Sequence, residues 1–189
     1  MQDCANLSDN DLVQKALKDQ AYFGCLVERY EAKLYNYISR ITAVSKEDAE
    51  DILQDVFINV YKNLNDFDQT LKFSSWIYRI THNQVISRWR KHKNSPFVFK
   101  DEDNLKLFEK IVAKEDVEAD LIRQDKSREV EQILKCLKKE YAEILVLKFL
   151  EDKSYKEISD ILKKPMGTVA TLINRAKKQF RDCANDFDI

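Results

Sequence analysis

Thr171, Asn174, Arg175 and Lys178 stand three or four residues apart, so on a helix they share one face, with Ala170 alongside. An Asn amide can pair with adenine, an Arg guanidinium with guanine, and Lys or Arg with phosphates. Short side chains near the start of such a helix let its backbone approach a groove closely. The opposite stripe, Val169, Leu172, Ile173, Ala176 and Phe180, reads as buried. Upstream, Ser154-Tyr155-Lys156-Glu157 is a capping box that opens a shorter helix carrying Ile158, Ile161 and Leu162. Lys163-Lys164-Pro165-Met166-Gly167 makes the turn between the two, and Thr168 is expected to cap the second. Two short helices around a Gly-bearing turn predict a helix-turn-helix of the DNA-reading kind. Residues 133–181 hold twelve basic and six acidic side chains, and this charge favours DNA over a packed hairpin with a merely solvated polar face.

A second constellation lies on another amphipathic stretch. Ser45-Lys46-Glu47-Asp48 repeats the capping signature, and Ile52, Leu53, Val56, Phe57, Val60 and Leu64 follow at helical spacing. With that stripe turned inward, Asp51, Gln54, Asp55, Ile58 and Lys62 line a different side. Ile58 lies about 100° from Phe57 and about 200° from Val56 on a helix of 3.6 residues per turn. An apolar side chain among acids and amides suits a partner groove with basic residues across it. A solvated acidic face with one stray Ile is the alternative that the helix alone leaves open.

The elements that must carry these faces are helices. Two Gly and two Pro in 189 residues leave few tight turns, so the fold class is all-α. Ser8-Asp9-Asn10-Asp11 is a capping box, and apolar periodicity runs from Leu12 to Ile41 with a break near Gln20 that splits it into two helices. A fourth helix is expected over 73–93, with Trp76, Ile77 and Ile80 in the core. Asn94-Ser95-Pro96 ends it. Residues 100–120 hold four basic against eight acidic side chains, so 94–120 reads as an acidic linker. Two helical domains, 1–93 and 121–189, are therefore expected on either side of it, the C-terminal one with the helix-turn-helix. The net charge of −1 hides this asymmetry.

Enzyme chemistry finds little to work with. His82 and His92 are not spaced as a metal or nucleophile pair, and no Gly-rich phosphate loop occurs. No metal, no cofactor and no catalytic residue is expected. Cys4, Cys25, Cys136 and Cys183 form no C-x-x-C pair and read as reduced, packed thiols. No apolar run reaches the roughly 20 residues that span a bilayer, and the first residues lack a basic-then-apolar signal, so a cytoplasmic protein without membrane insertion is expected.

Tyr155-Lys156-Glu157-Ile158, Met166-Gly167-Thr168-Val169 and Asn174-Arg175-Ala176-Lys177-Lys178 together resemble the fourth conserved region of the extracytoplasmic-function sigma factors of bacterial RNA polymerase. Leu134-Lys135-Cys136-Leu137 and Glu143-Ile144-Leu145-Val146-Leu147 fit its scaffold helices. The resemblance implies that Lys156, Thr168, Ala170, Thr171, Asn174, Arg175 and Lys178 read the minus-thirty-five promoter element. Asp48-Ala49-Glu50-Asp51-Ile52-Leu53-Gln54-Asp55-Val56-Phe57 is similar to the helix by which that family docks on the clamp of polymerase. Asp51, Gln54, Asp55 and Ile58 are then implied as core-polymerase contacts.

Phe73-Ser74-Ser75-Trp76-Ile77-Tyr78-Arg79-Ile80-Thr81-His82-Asn83 resembles the family's minus-ten helix. Stacking and cations hold single-stranded DNA, and the loop before this helix can receive an unstacked base. The implied minus-ten residues are Asn65, Phe67, Asp68, Arg79, His82, Asn83 and Arg88. Three departures from the family pattern stand out: Lys138 where Pro is frequent, Ala170 and Thr171 where basic residues are frequent, and Ser87 where Asp is usual. The resemblance implies a non-enzymatic subunit with core polymerase and promoter DNA as partners, and commonly an anti-sigma partner, often membrane-anchored. A helix-turn-helix regulator acting without polymerase, or a helical adaptor binding only protein, is the competing reading.

Overall fold

In the computed structural model, residues 4–42, 44–91 and 137–186 are described, apart from the side chains of 89–91 and 184–186. The expected acidic linker over 94–120 and the stretch to 136 lie outside them. The described residues contain seven α-helices and fall into two compact units, one built mainly from the first four helices and the other mainly from the last three. No helix among them is long and apolar enough to cross a membrane.

The first unit opens with α1 (Asp9–Ala16), whose N-cap Ser8 and Asp11 form the anticipated reciprocal capping box. The chain turns at 17–20 into α2 (Ala21–Ile41), where the periodicity breaks. The Asp9 carboxylate accepts from Arg29 Nη1 at 2.8 Å and from the Tyr30 hydroxyl at 2.5 Å, fastening α1 to α2. The expectation of reduced thiols does not hold here. Cys4 and Cys25 form a disulfide, Cys183 is also disulfide-bonded, and no described cysteine is free. Reversal of the chain after α1 lays residue 4 beside the second turn of α2, a proximity that linear spacing cannot reveal.

Helix α3 (Lys46–Lys62) starts at Ser45, whose hydroxyl accepts the Asp48 N–H, and buries Ala49, Ile52, Leu53, Val56 and Val60. A short 3₁₀ turn (Leu64–Asp66) leads into the loop before α4 (Phe73–Lys91). The interior is strongly aromatic. Phe67 packs on Phe73 and Trp76 with ring centroids 5.4 and 5.2 Å apart, and Tyr30 packs on Phe73 at 5.5 Å. Tyr37 and Tyr78 pair at 5.2 Å. Trp76 and Ile77 are buried as expected, whereas Ile80 is half-buried.

In the second unit, α5 (Lys139–Leu145) passes into one π-helical turn (Val146–Leu150), and Ala142, Ile144, Leu145, Val146, Leu147 and Phe149 are buried. The Ser154–Glu157 capping box starts α6 (Tyr155–Leu162), and α7 spans Met166–Asp186. The turn between α6 and α7 differs in detail from the sequence expectation. Its left-handed residue is Lys163, with φ 53°, while no described glycine has a positive φ and Gly167 stands exposed inside α7. Pro165 ends α6 by disfavouring helical geometry at Lys164, and its carbonyl accepts the Val169 N–H at 3.0 Å. The helix thus begins at Met166, and Thr168 lies in its first turn instead of capping it.

Candidate functional site

On α7 the predicted inner stripe is inside: Val169, Leu172, Ile173, Ala176 and Phe180 are all buried. That fixes the helix rotation and turns Thr171, Asn174, Arg175 and Lys178 outward, with Ala170 half-buried at the edge. The Thr171 hydroxyl donates to the Gly167 carbonyl at 2.9 Å, so it lies along its own helix and keeps the surface low there. Thr168 and, on α6, Lys156 are exposed as well. The turn is braced from below. Ser159 Oγ donates to the Lys164 carbonyl at 2.5 Å, and Lys164 Nζ pairs with Glu140 at 2.9 Å. The result is an outer helix face of amide, guanidinium and ammonium groups next to a turn tied by a hydrogen bond and an ion pair.

On α3, Asp51, Gln54 and Asp55 are exposed, and Ile58 is 51% exposed among them. Tyr61 continues the face at 46% exposure and packs edge-on against Phe23 of α2 at 5.1 Å. Sequence reasoning missed Tyr61; its spacing of three from Ile58 was the signal. A cleft of about 480 Å³ adjoins this surface, lined by Glu31 and Tyr35 of α2 and by Lys46, Glu50, Leu53 and Gln54 of α3.

The residues proposed around the loop and α4 do not form one surface. Asn65 and Asp68 are exposed, but Phe67 is 6% exposed, with its ring in the aromatic cluster. Its part is to fasten the loop from inside, so as placed it presents no face to a base. The Asp68 carboxylate accepts from Thr70 N–H at 2.9 Å and Thr70 Oγ1 at 2.8 Å, and these bonds hold its pKa below the usual carboxylate value. Along α4, Arg79 and His82 are half-buried and Asn83 is exposed. Arg88 faces elsewhere. Nine residues from Arg79 is about half a turn out of phase at 3.6 residues per turn. Its guanidinium instead reaches Asp48 at 3.2 Å and Asp51 at 3.6 Å on α3. One turn earlier, Gln84 Nε2 donates to Asp55 at 3.1 Å while its carbonyl oxygen accepts from Asn59 at 3.1 Å.

One helical unit thus exposes an acidic-apolar face on α3, and the other exposes an amide and guanidinium face on the second helix of a helix-turn-helix. Residues 26–95 match Sigma-70 region 2, and residues 127–180 match Sigma-70, region 4. The ECF RNA polymerase sigma factor SigW of Bacillus subtilis (strain 168) is 33% identical over 184 residues, which are 93% of this chain and 98% of that one. The ECF RNA polymerase sigma-E factor of Escherichia coli (strain K12) is 28% identical over 177 residues, covering 91% and 92%. The chain belongs to the extracytoplasmic-function sigma factors of RNA polymerase. Among solved structures, CnrH in complex with the cytosolic domain of CnrY has a TM-score of 0.67 at 23% identity, covering 94% of this chain and 97% of that one. The sigma factor RpoE of Bartonella quintana, solved with the anti-sigma factor NepR, has a TM-score of 0.61 at 16% identity, covering 86% and 96%. These two likenesses are of fold.

Proposed function

We propose that this sigma factor divides its work between its two units, the first docking on core polymerase and capturing the minus-ten strand, the second reading the minus-thirty-five duplex. Core docking falls to Asp51, Gln54, Asp55 and Ile58. Strand capture falls to Asn65, Asp68, Arg79, His82 and Asn83, with Phe67 supporting the loop. Minus-thirty-five reading falls to Lys156, Thr168, Ala170, Thr171, Asn174, Arg175 and Lys178. The chain acts as a specificity subunit without catalysis of its own, in the cytoplasm, under an anti-sigma partner that releases it on an extracytoplasmic or stress signal. The sigma factor RpoE of Bartonella quintana, solved with the anti-sigma factor NepR, supports the anti-sigma partner.

The observation that carries the reading is Ile58, half-exposed among three polar docking residues whose own helix buries its other side. A large apolar side chain so placed gains from a partner's groove, and acids beside it select a basic one. Asp55→Lys reverses charge at the centre of this face. Association with purified bacterial core polymerase, measured by titrating labelled protein, should weaken at least tenfold, with helix content unchanged. Wild-type affinity would remove the docking assignment.

A further inference from the structure

Arg88 belongs to the helix assigned to strand capture, yet its guanidinium lies against α3, 3.2 Å from Asp48 and 3.6 Å from Asp51. Asp51 is a docking residue, and its side chain remains well exposed beside the guanidinium, at 64% against 27% for Arg88. Gln84, one turn earlier on α4, donates a neutral amide hydrogen bond to the docking residue Asp55. Two polar side chains of α4 therefore hold, within the free chain, the carboxylates that a basic partner is expected to take. A guanidinium beside the Asp51 carboxylate lowers the negative potential there and repels a second cation brought to the same oxygens. The pair is partly solvated, so the hold is weak enough to be displaced.

We propose that Arg88 is an internal stand-in for a basic side chain of polymerase: held closest by Asp48, it also pairs with Asp51 in the free protein and gives way there when core docks. The proposal rests on the docking role of the α3 face. Arg88 thereby tempers core affinity, and docking frees its guanidinium from the Asp51 carboxylate. Because the two events share one carboxylate, they are linked, and linkage is reciprocal. Gln84 contributes to the same restraint at Asp55 without carrying charge.

The test is a double-mutant cycle on the full-length chain, read as affinity for purified core polymerase in the absence of DNA. Arg88→Gln should tighten core binding by about two- to fivefold, the scale of an exposed ion pair. Arg88→Lys, which keeps the competing cation, should stay near wild type. In the Asp51→Asn background the gain from Arg88→Gln should vanish. Thermal unfolding of each variant separates this from loss of fold. Weaker binding by folded Arg88→Gln overturns the proposal. So does a gain that persists with Asp51→Asn, since that would be a general effect of net charge. If Asp55→Lys leaves core binding intact, the docking role itself fails and the stand-in fails with it. If Asp55→Lys weakens binding but the cycle is additive, the stand-in alone is wrong.

Discussion

Arg175 shows how one residue's role follows from its neighbours. Val169, Leu172, Ile173 and Ala176 are drawn into the core, so the guanidinium two residues beyond Ile173 has to emerge on the outer face beside Asn174 and Lys178. If it pairs with a base edge, Arg175→Ala should lower promoter affinity by roughly 1–3 kcal/mol and relax preference at a single position. Titration of holoenzyme against promoter variants checks this, and an unchanged profile would remove the contact. Arg88 teaches the opposite lesson. It looks like one more cation in a basic stretch, but its phase on the helix separates it from Arg79 and turns it toward acids on α3. Counting phase from Arg79 would have exposed the difference in the sequence. The Cys4–Cys25 disulfide gave no such signal, because it depends on how tightly the chain reverses after α1.

Helices were readable wherever capping and periodicity agreed. Ser8, Ser45 and Ser154 each mark a true N-terminus, since a hydroxyl there meets backbone N–H groups that the first turn leaves unpaired. Removing the Ser154 hydroxyl with Ser154→Ala should cost about 1 kcal/mol in urea unfolding. No measurable change would mean that the box contributes little. Connections were harder to read. Residues 163–167 and a Thr168 cap were expected to form the turn, but Lys163 takes the left-handed conformation and the helix already begins at Met166, after Pro165. In the loop before α4, Phe67 was hard to place, because an aromatic in a polar loop suits base stacking and core packing equally well on sequence alone. The ring is in the core, so Phe67→Ala should destabilise the DNA-free protein by roughly 3–5 kcal/mol. A melting temperature equal to wild type would put the ring back among the candidates for base contact.

At the scale of the molecule, two helical units with different exposed chemistry were foreseeable from the charge asymmetry and from motifs arranged in a fixed order. Each unit has its own buried core, and each presents one polar face that its core does not consume. The acidic-apolar face of α3 and the amide-guanidinium face of α7 suit different partners, a basic protein groove and a DNA groove. Initiation by core polymerase on a random promoter library tests this division of labour most directly. With the chain added, core should initiate at a restricted set of sequences sharing two elements, and Asp55→Lys should abolish that activity. Initiation no different from core alone, or selection undisturbed by Asp55→Lys, would contradict it.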